Sequence, residues 1–382
     1  MPDVLVIGDT YRTPELRHEV PLGIPDPFVY LERGGERHVV VPSMEGERIE
    51  ALGLGIAVHP SEEVGLDELV RRGLDRMAIR LELAVNACRH LGLERALVPH
   101  GFPAGHLERL RAAGVELTVD QRHFDERRRV KSDAELAGIR RAQRAADAGM
   151  RRAAELLRAA ERRNGSLSLD GEELTVERVK GELAATFEAH GCTTDDFIVA
   201  PGQQGATGHD MGSGPIRPGE PVVVDLWPRD RESACFADMT RTFVAGDVPA
   251  EIAGYHRLTR EALARVTSLV RPGADCRSLF DAACEVFEEA GQPTLRTKPD
   301  GQTLADGFFH GLGHGVGLEV HESPYLLNTP DGELVAGDVV TLEPGLYRSG
   351  YGGVRLEDLV LVTPGGCEVL ADFPYDLEIA TT

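Results

Sequence analysis

Four carboxylates sit where strand-forming sequence ordinarily excludes them. Asp225 follows "VVV", Asp238 lies in "FADMTRTF", Glu343 ends "VVTL", and Glu357 lies in "GVRLEDLVLV". The flanking valines, leucines and phenylalanines are the residues that fill a pleated, half-buried surface. Burying an uncompensated carboxylate among them is costly. One such residue alone is most simply an outward-facing position of a half-buried strand. Four of them, with a glycine-flanked histidine in "HGLGHGVGLEVHE" (310–322), are poorly explained as independently solvated groups. Divalent cations would compensate the charge. Oxygen donors with one imidazole suit Mn²⁺, Co²⁺ or Zn²⁺ and need no thiolate. Four carboxylates balance two divalent ions, and two metals about 3.5–4 Å apart acidify a bridging water and polarise a carbonyl. That is equipment for amide hydrolysis.

The remaining composition narrows the setting. A chain of 382 residues with 42% hydrophobic content has material for two folded domains. Its formal charge of −22 repels nucleic acid and anionic membranes, so neither is expected as a partner. No apolar run is long enough for a membrane helix, and the start "MPDVLVIGDT" lacks a signal-peptide pattern, so a cytoplasmic protein is expected. Cys88, Cys192, Cys235, Cys276, Cys284 and Cys367 form no C-x-x-C pair. They read as reduced, mostly buried thiols.

The order of elements predicts an α+β protein with two domains. Residues 1–125 read as a smaller α/β domain: strands at Val4–Ile7, Phe28–Leu31 and Val39–Val41, a helical pattern over Leu66–Leu91, and later strands in "RALVPHG" and "VELTVDQ" around the "HLERLRAAG" helix. No glycine-rich phosphate loop follows any of these strands, which argues against nucleotide binding. The charged stretch "HFDERRRVK" (123–131) reads as a linker. The second domain is expected over 132–382. Ser132 with Glu135 forms a capping box before a long helix, and a further helix over about 175–190 stops at Gly191. Helices at about 250–270 and 276–290 are interleaved with strands, as when helices cover one face of a mostly antiparallel sheet.

The motifs "VVVDLW", "ADMTRTF", "GLGHGVGLEVHE", "TLEPGLY" and "GGVRLEDLVLV" stand in the order typical of the M24-type metallopeptidases, the creatinase/prolidase/methionine aminopeptidase family with its pita-bread fold. Over residues 130–370 the chain resembles that family, within it the Xaa-Pro branch. The resemblance implies a curved, mostly antiparallel sheet covered by helices, behind a creatinase-like N-terminal domain. It implies two divalent metal ions, manganese first and cobalt or zinc as alternatives. Asp225 is similar to the ligand of one metal, Asp238 and Glu357 to the bridging carboxylates, and His314 and Glu343 to the ligands of the other. Glu343 also resembles the family's proton shuttle. His209, sixteen residues before Asp225, and His321, seven after His314, resemble two substrate-contacting histidines; His321 would bond the scissile carbonyl or the developing oxyanion. His310 resembles a third, lining the proline pocket, and Arg355 an arginine that ties a ligand carboxylate in place at the substrate site. Small proline-containing peptides are the implied substrates and a homodimer the implied assembly. Xaa-Pro dipeptidase is the leading activity. Xaa-Pro aminopeptidase action on longer peptides is the alternative, and a binding module on the same fold is the reading outside enzymology.

Some positions depart from the family pattern. Trp227 stands in place of a glycine, Ala234-Cys235 in place of Gly-Tyr, and twelve residues separate Asp225 from Asp238, so the hairpin between them is rebuilt. Tyr325 occupies the place of an arginine that would meet a dipeptide's C-terminal carboxylate. Arg229 or Arg231 is expected to supply that charge, or else to be a solvated turn residue. Cys235 as a nucleophile lacks an accompanying base. The proline-rich "ELRHEVPLGIPDPF" is expected either to reach a partner subunit or to form a plain surface loop.

Overall fold

The computed structural model describes residues 2–380. The chain divides into two compact units, one up to Arg128 and one from Arg129 onward.

The N-terminal unit runs β1 (Val4–Gly8), α1 (Pro14–Glu19), β2 (Phe28–Arg33), β3 (Glu36–Val41), α2 (Ser43–Glu50), β4 (Ile56–Pro60), α3 (Leu66–Arg71), α4 (Arg76–His90), β5 (Arg95–Val98), α5 (Ala104–Ala112), β6 (Glu116–Val119) and α6 (Gln121–Arg129). Its six strands form one mixed sheet in the order β4-β3-β2-β1-β5-β6. Alternation in β1 shows why both faces are covered. Leu5 and Ile7 enter one core with Val85 and Cys88 of α4, while Val4 and Val6 enter the other with Leu16, Ile24 and Phe28. The helical pattern expected over Leu66–Leu91 is broken. Gly73 takes a φ of +72°, which ends α3, and Asp75 caps α4 by accepting from the Ala78 amide at 2.8 Å. The stretch expected as a linker is mostly helix: Phe124 and Arg128 of α6 are buried, which gives that charged segment an inner face. The proline-rich segment is tied into its own unit, where Thr10 Oγ1 donates to the Leu22 carbonyl at 2.6 Å and accepts from the Ile24 amide at 2.8 Å.

The C-terminal unit opens with α7 (Asp133–Ala159), whose capping box joins Ser132 and Glu135 reciprocally. Then come β7 (Glu161–Arg163), β8 (Ser166–Leu169), β9 (Glu172–Glu173), α8 (Val176–Ala189), β10 (Cys192–Thr193), β11 (Ile198–Pro201), β12 (Pro221–Leu226), β13 (Arg229–Asp230), β14 (Met239–Ala245), α9 (Ala250–Leu269) and α10 (Cys276–Glu289). The chain closes with β15 (Gly313–Gly315), β16 (Glu322–Leu326), β17 (Val339–Leu342), β18 (Gly345–Arg348), β19 (Gly352–Arg355), β20 (Asp358–Thr363), β21 (Gly366–Val369) and β22 (Glu378–Ile379). Two sheets carry the unit, β11-β12-β14-β22 and β16-β15-β17-β20-β21. All their ladders are antiparallel except β14 with β22. One core packs α7 and α8 on strand residues such as Val222, Val224 and Leu359; another packs α9 and α10 on Val340, Leu342 and Val360. The fold is α+β, of the pita-bread type, with a smaller α/β unit before it.

Candidate metal centre

Strand alternation brings the acidic residues together. Val222, Val224 and Leu226 of β12 point into the core beside α7, which leaves Asp225 on the other face. Asp225 pairs in register with Thr240 of β14. Asp238, Thr240 and Thr242 share that face by the same period of two. Glu357 arrives from just before β20, its amide donating to the Thr240 carbonyl at 3.0 Å. From the second sheet, β15 carries His314. Glu343 follows β17, its amide held at 2.8 Å by the Leu312 carbonyl. The glycines beside His314 have a packing reason. A Cβ on Gly313 would lie 2.0 Å from the Thr341 carbonyl oxygen, and one on Gly315 would lie 2.5 Å from that of Ser323. They admit neighbouring strands, and so fix where His314 stands.

His314 Nδ1 lies 3.1 Å from the Gly315 carbonyl oxygen. The tautomer that donates there leaves Nε2 as a lone-pair donor. Nε2 lies 3.6 Å from Glu343 Oε1 and 3.8 Å from Asp238 Oδ2. One ligating atom each of Asp238, His314 and Glu357 fall within 4.8 Å of one another, and all three residues are buried. Arg355 Nη2 donates to Asp225 Oδ2 at 2.5 Å, and Thr240 Oγ1 donates to Glu357 Oε2 at 2.7 Å. Asp225 Oδ1 and Asp238 Oδ1 are buried without a hydrogen bond.

These groups cannot all be ionised without help. Burial, then Glu357, Asp225 and Glu343, hold the Asp238 carboxyl well above the usual carboxylate range. Burial, then Asp225 and Glu343, do the same to Glu357. Glu343 is pushed up to about 8, chiefly by burial, with Arg355 opposing and Asp225 adding. Burial and then His321 push His314 down to about 3, so its imidazole is neutral. Four carboxylates thus share the Arg355 guanidinium. An oxygen-rich set, two unpartnered carboxylate oxygens and one neutral imidazole fit divalent cations.

The other expected site residues form the surroundings. The His321 ring lies 4.2 Å from that of His314, edge-on at 78°, on an exposed residue. His209 is exposed, in the loop after a single 3-10 turn (Gly202–Ala206), within electrostatic reach of His310 and His321. His310 has both ring nitrogens engaged: Nδ1 lies 2.7 Å from the Gly311 carbonyl oxygen and Nε2 lies 2.9 Å from Tyr347 Oη. Arg355 Nη1 donates to that same hydroxyl at 3.0 Å. Tyr347 therefore joins His310 to the arginine that holds Asp225. The sequence reading missed Tyr347 and Thr240. Thr240 was within reach, because it lies two residues after Asp238 on one strand face. Tyr347 ends the motif "TLEPGLY", but nothing local shows that it meets His310 and Arg355.

The rebuilt hairpin is closed by its own residues. Asp230 Oδ2 accepts from the Ser233 hydroxyl at 2.6 Å, and Ala234 takes a φ of +67°. Arg229 Nε donates to the Ala234 carbonyl at 2.9 Å, and Arg231 pairs with Glu188. Trp227 is partly buried against the core beside α7. Cys235 is fully buried and burial pushes its thiol up to about 12, which rules out a nucleophile.

The comparisons with known proteins agree with this geometry. The chain is 32% identical over 252 residues to a probable dipeptidase PepE from Mycobacterium tuberculosis, covering 65% of this chain and 60% of that protein. It is 33% identical over 213 residues to an Xaa-Pro dipeptidase from Pyrococcus furiosus, covering 54% of this chain and 57% of that one. The matched region thus spans about 60% of the length of these curated relatives. The structure of dipeptidase PepE from Mycobacterium ulcerans superposes with a TM-score of 0.76 at 26% identity, covering 100% of this chain and 94% of the other. Residues 137–364, which hold every carboxylate and histidine of the centre, match metallopeptidase family M24, and the chain belongs to that family.

Proposed function

We propose that this protein is a dinuclear-metal peptidase that hydrolyses Xaa-Pro dipeptides. The observation that carries the reading is a set of four carboxylates, three buried and Glu343 half-buried, beside one neutral imidazole and a single guanidinium. Asp225, Asp238 and Glu357 would hold one cation, and Asp238, Glu357, His314 and Glu343 the other. Manganese is the proposed ion, with cobalt or zinc as alternatives, because oxygen donors dominate. Two such cations supply Lewis acidity to the scissile carbonyl and acidify water. Glu343 takes a proton from the attacking water and delivers it to the leaving nitrogen. His321 donates its N–H to the oxygen that gains charge, and His209 contacts the substrate beside it. Arg355 orients Asp225. The His310 ring face and Phe309, whose ring lies 4.7 Å from that of Tyr347, form an aromatic wall suited to a proline ring.

A second reading is favoured by one observation. Arg229 is engaged within the hairpin and Arg231 with Glu188 of α8, and Tyr325 replaces the expected arginine, so a dipeptide's carboxylate lacks an evident cation among the described residues. An Xaa-Pro aminopeptidase acting on longer peptides has no need of one. We further propose that residues 1–125 are a creatinase-like N-terminal domain and 132–382 the catalytic domain, in a cytoplasmic homodimer. Six free cysteines suit a reducing compartment. No helix among the described residues is long and apolar enough to cross a membrane.

Metal analysis with a substrate panel tests the reading. Met-Pro and Leu-Pro dipeptides, an Xaa-Pro-Yaa tripeptide, a Met-Ala-Ser peptide and creatine would each be incubated with and without Mn²⁺. Two metals per chain with cleavage of the dipeptides alone is the expected result. Tripeptide cleavage transfers the assignment to an aminopeptidase, and neither metal nor cleavage overturns both.

A further inference from the structure

The N-terminal unit has its own concentration of nitrogen donors, at the edge of its sheet. Edge strand β4 lies parallel to β3, with His38 opposite Ala57 and Val40 opposite His59. His38 and His59 therefore project from the same face, the one that packs on α4 through Val40. His59 Nε2 lies 3.2 Å from His38 Nδ1, and His59 Nδ1 lies 3.3 Å from Glu63 Oε2. His90, the last residue of α4, presents its ring edge-on to His59 at 5.8 Å and 73°. One ligating atom each of His59, Glu63 and His90 lie within 4.8 Å of one another.

A hydrogen-bonded chain from Glu63 through His59 to His38 accounts for two imidazoles and a carboxylate. It gives the third imidazole, His90, nothing to do, since among the described residues its ring has no hydrogen bond or ion pair. A cation accounts for all four. Two donors at 2.0–2.2 Å on a tetrahedral ion stand roughly 3.4 Å apart, close to the separation between His59 Nδ1 and Glu63. The remaining nitrogen of His59 is then the one facing His38, the usual arrangement in which a partner fixes the tautomer and ring plane of a ligand histidine.

We propose that His59, Glu63 and His90 bind a divalent cation of the imidazole-preferring class, with His38 orienting His59. Two imidazoles and one carboxylate favour Zn²⁺, Ni²⁺ or Cu²⁺ over Mn²⁺. The donor set thus separates this site chemically from the carboxylate centre of the other unit. Its ligands come from β4, the turn after it and the end of α4. The ion therefore pins the outermost strand, which lacks a neighbour on one side, to the helix that covers it.

The test uses the full-length protein saturated with Mn²⁺ and titrated with Zn²⁺ by calorimetry, with thermal unfolding followed in parallel. A D238A/H314A variant, in which the carboxylate centre no longer competes for zinc, should take up one zinc with a higher unfolding temperature, and the wild type should take up one more zinc than its H90Q variant. The H59Q/H90Q variant should lose both effects. His38→Ala should weaken uptake by about 10–100-fold. His90→Gln alone changes an exposed residue, so the test stays readable should the double variant fold poorly. Equal zinc uptake by wild type and H90Q, or none in D238A/H314A, overturns the proposal.

Discussion

Strands β14 and β20, with the residue before each, carry two charge clusters back to back, and they are built on opposite principles. On one face, Asp238 and Glu357 belong to a set of four carboxylates around one guanidinium, with two buried oxygens unpartnered. On the opposite face, at odd offsets from them, Arg241 and Asp358 form a 2.9 Å ion pair with both side chains 1% exposed. Arg241 also donates to the Glu357 carbonyl at 2.7 Å, the Phe373 carbonyl at 3.0 Å and the Pro374 carbonyl at 3.1 Å. Tyr375 donates its hydroxyl to Asp358 at 2.5 Å. The balanced cluster is complete within the protein and needs nothing from outside. The unbalanced one is completed only by added positive charge. Burial alone therefore does not mark a functional site; residual charge and unmet hydrogen-bonding capacity do.

The largest effect that would break this contrast is loss of a central donor. Asp238→Ala or His314→Ala should abolish metal binding and hydrolysis together while the protein stays folded. Retained activity with full metal content would remove these residues from the centre. Metal removal comes next. The metal-free fold keeps a proton on Glu343 that the unfolded chain releases in the ordinary carboxylate range. Its contribution is thus fully present at acid pH and is lost as pH rises through about 8. Chelated protein should lose stability to urea as pH climbs across that window, and restored Mn²⁺ should flatten the trend.

On the balanced side, Arg241→Met strands Asp358 without its partner and should cost about 3–5 kcal/mol of stability. Arg241→Met with Asp358→Leu should recover much of that loss and leave metal content unchanged. A double variant as unstable as the single, or one lacking metal, would show that the two faces are not separable. The smallest change is at the rim. His321→Ala should retain metal and lower kcat by about 10²–10³, the range for losing one oxyanion donor; an unchanged kcat would place His321 outside the reaction.

Much of the centre was legible along the chain because strand period and chemistry conflict there: an acid amid valines requires an explanation that a surface acid does not. The capping box at Ser132 was equally readable, being local. The break at Gly73 was obscured because apolar spacing continues across it, while only the glycine's positive φ ends the helix. The inner face of α6 was hidden by its charge: Phe124 alone among Arg, Asp and Glu gives little periodicity, yet burial of that ring sets the helix. The N-terminal histidines were invisible as a group, since residues 38, 59 and 90 meet only through parallel pairing and the end of α4.

The sequence by itself determined which side chains hold charge in apolar strands, the order in which they arrive, and the family to which that order belongs. Those follow from local rules, the pleat of a strand and the cost of burying an anion. Tertiary structure decided which charges are already answered. It assigned Arg241 to Asp358 and Arg355 to Asp225, engaged both nitrogens of His310, gave His314 Nδ1 the Gly315 carbonyl, and enclosed Cys235 in the core. The pairings of Arg241 with Asp358, Arg355 with Asp225 and His310 with Tyr347 join residues far apart in the chain, and electrostatics and hydrogen bonding act over a few ångströms of space, whatever the separation in sequence.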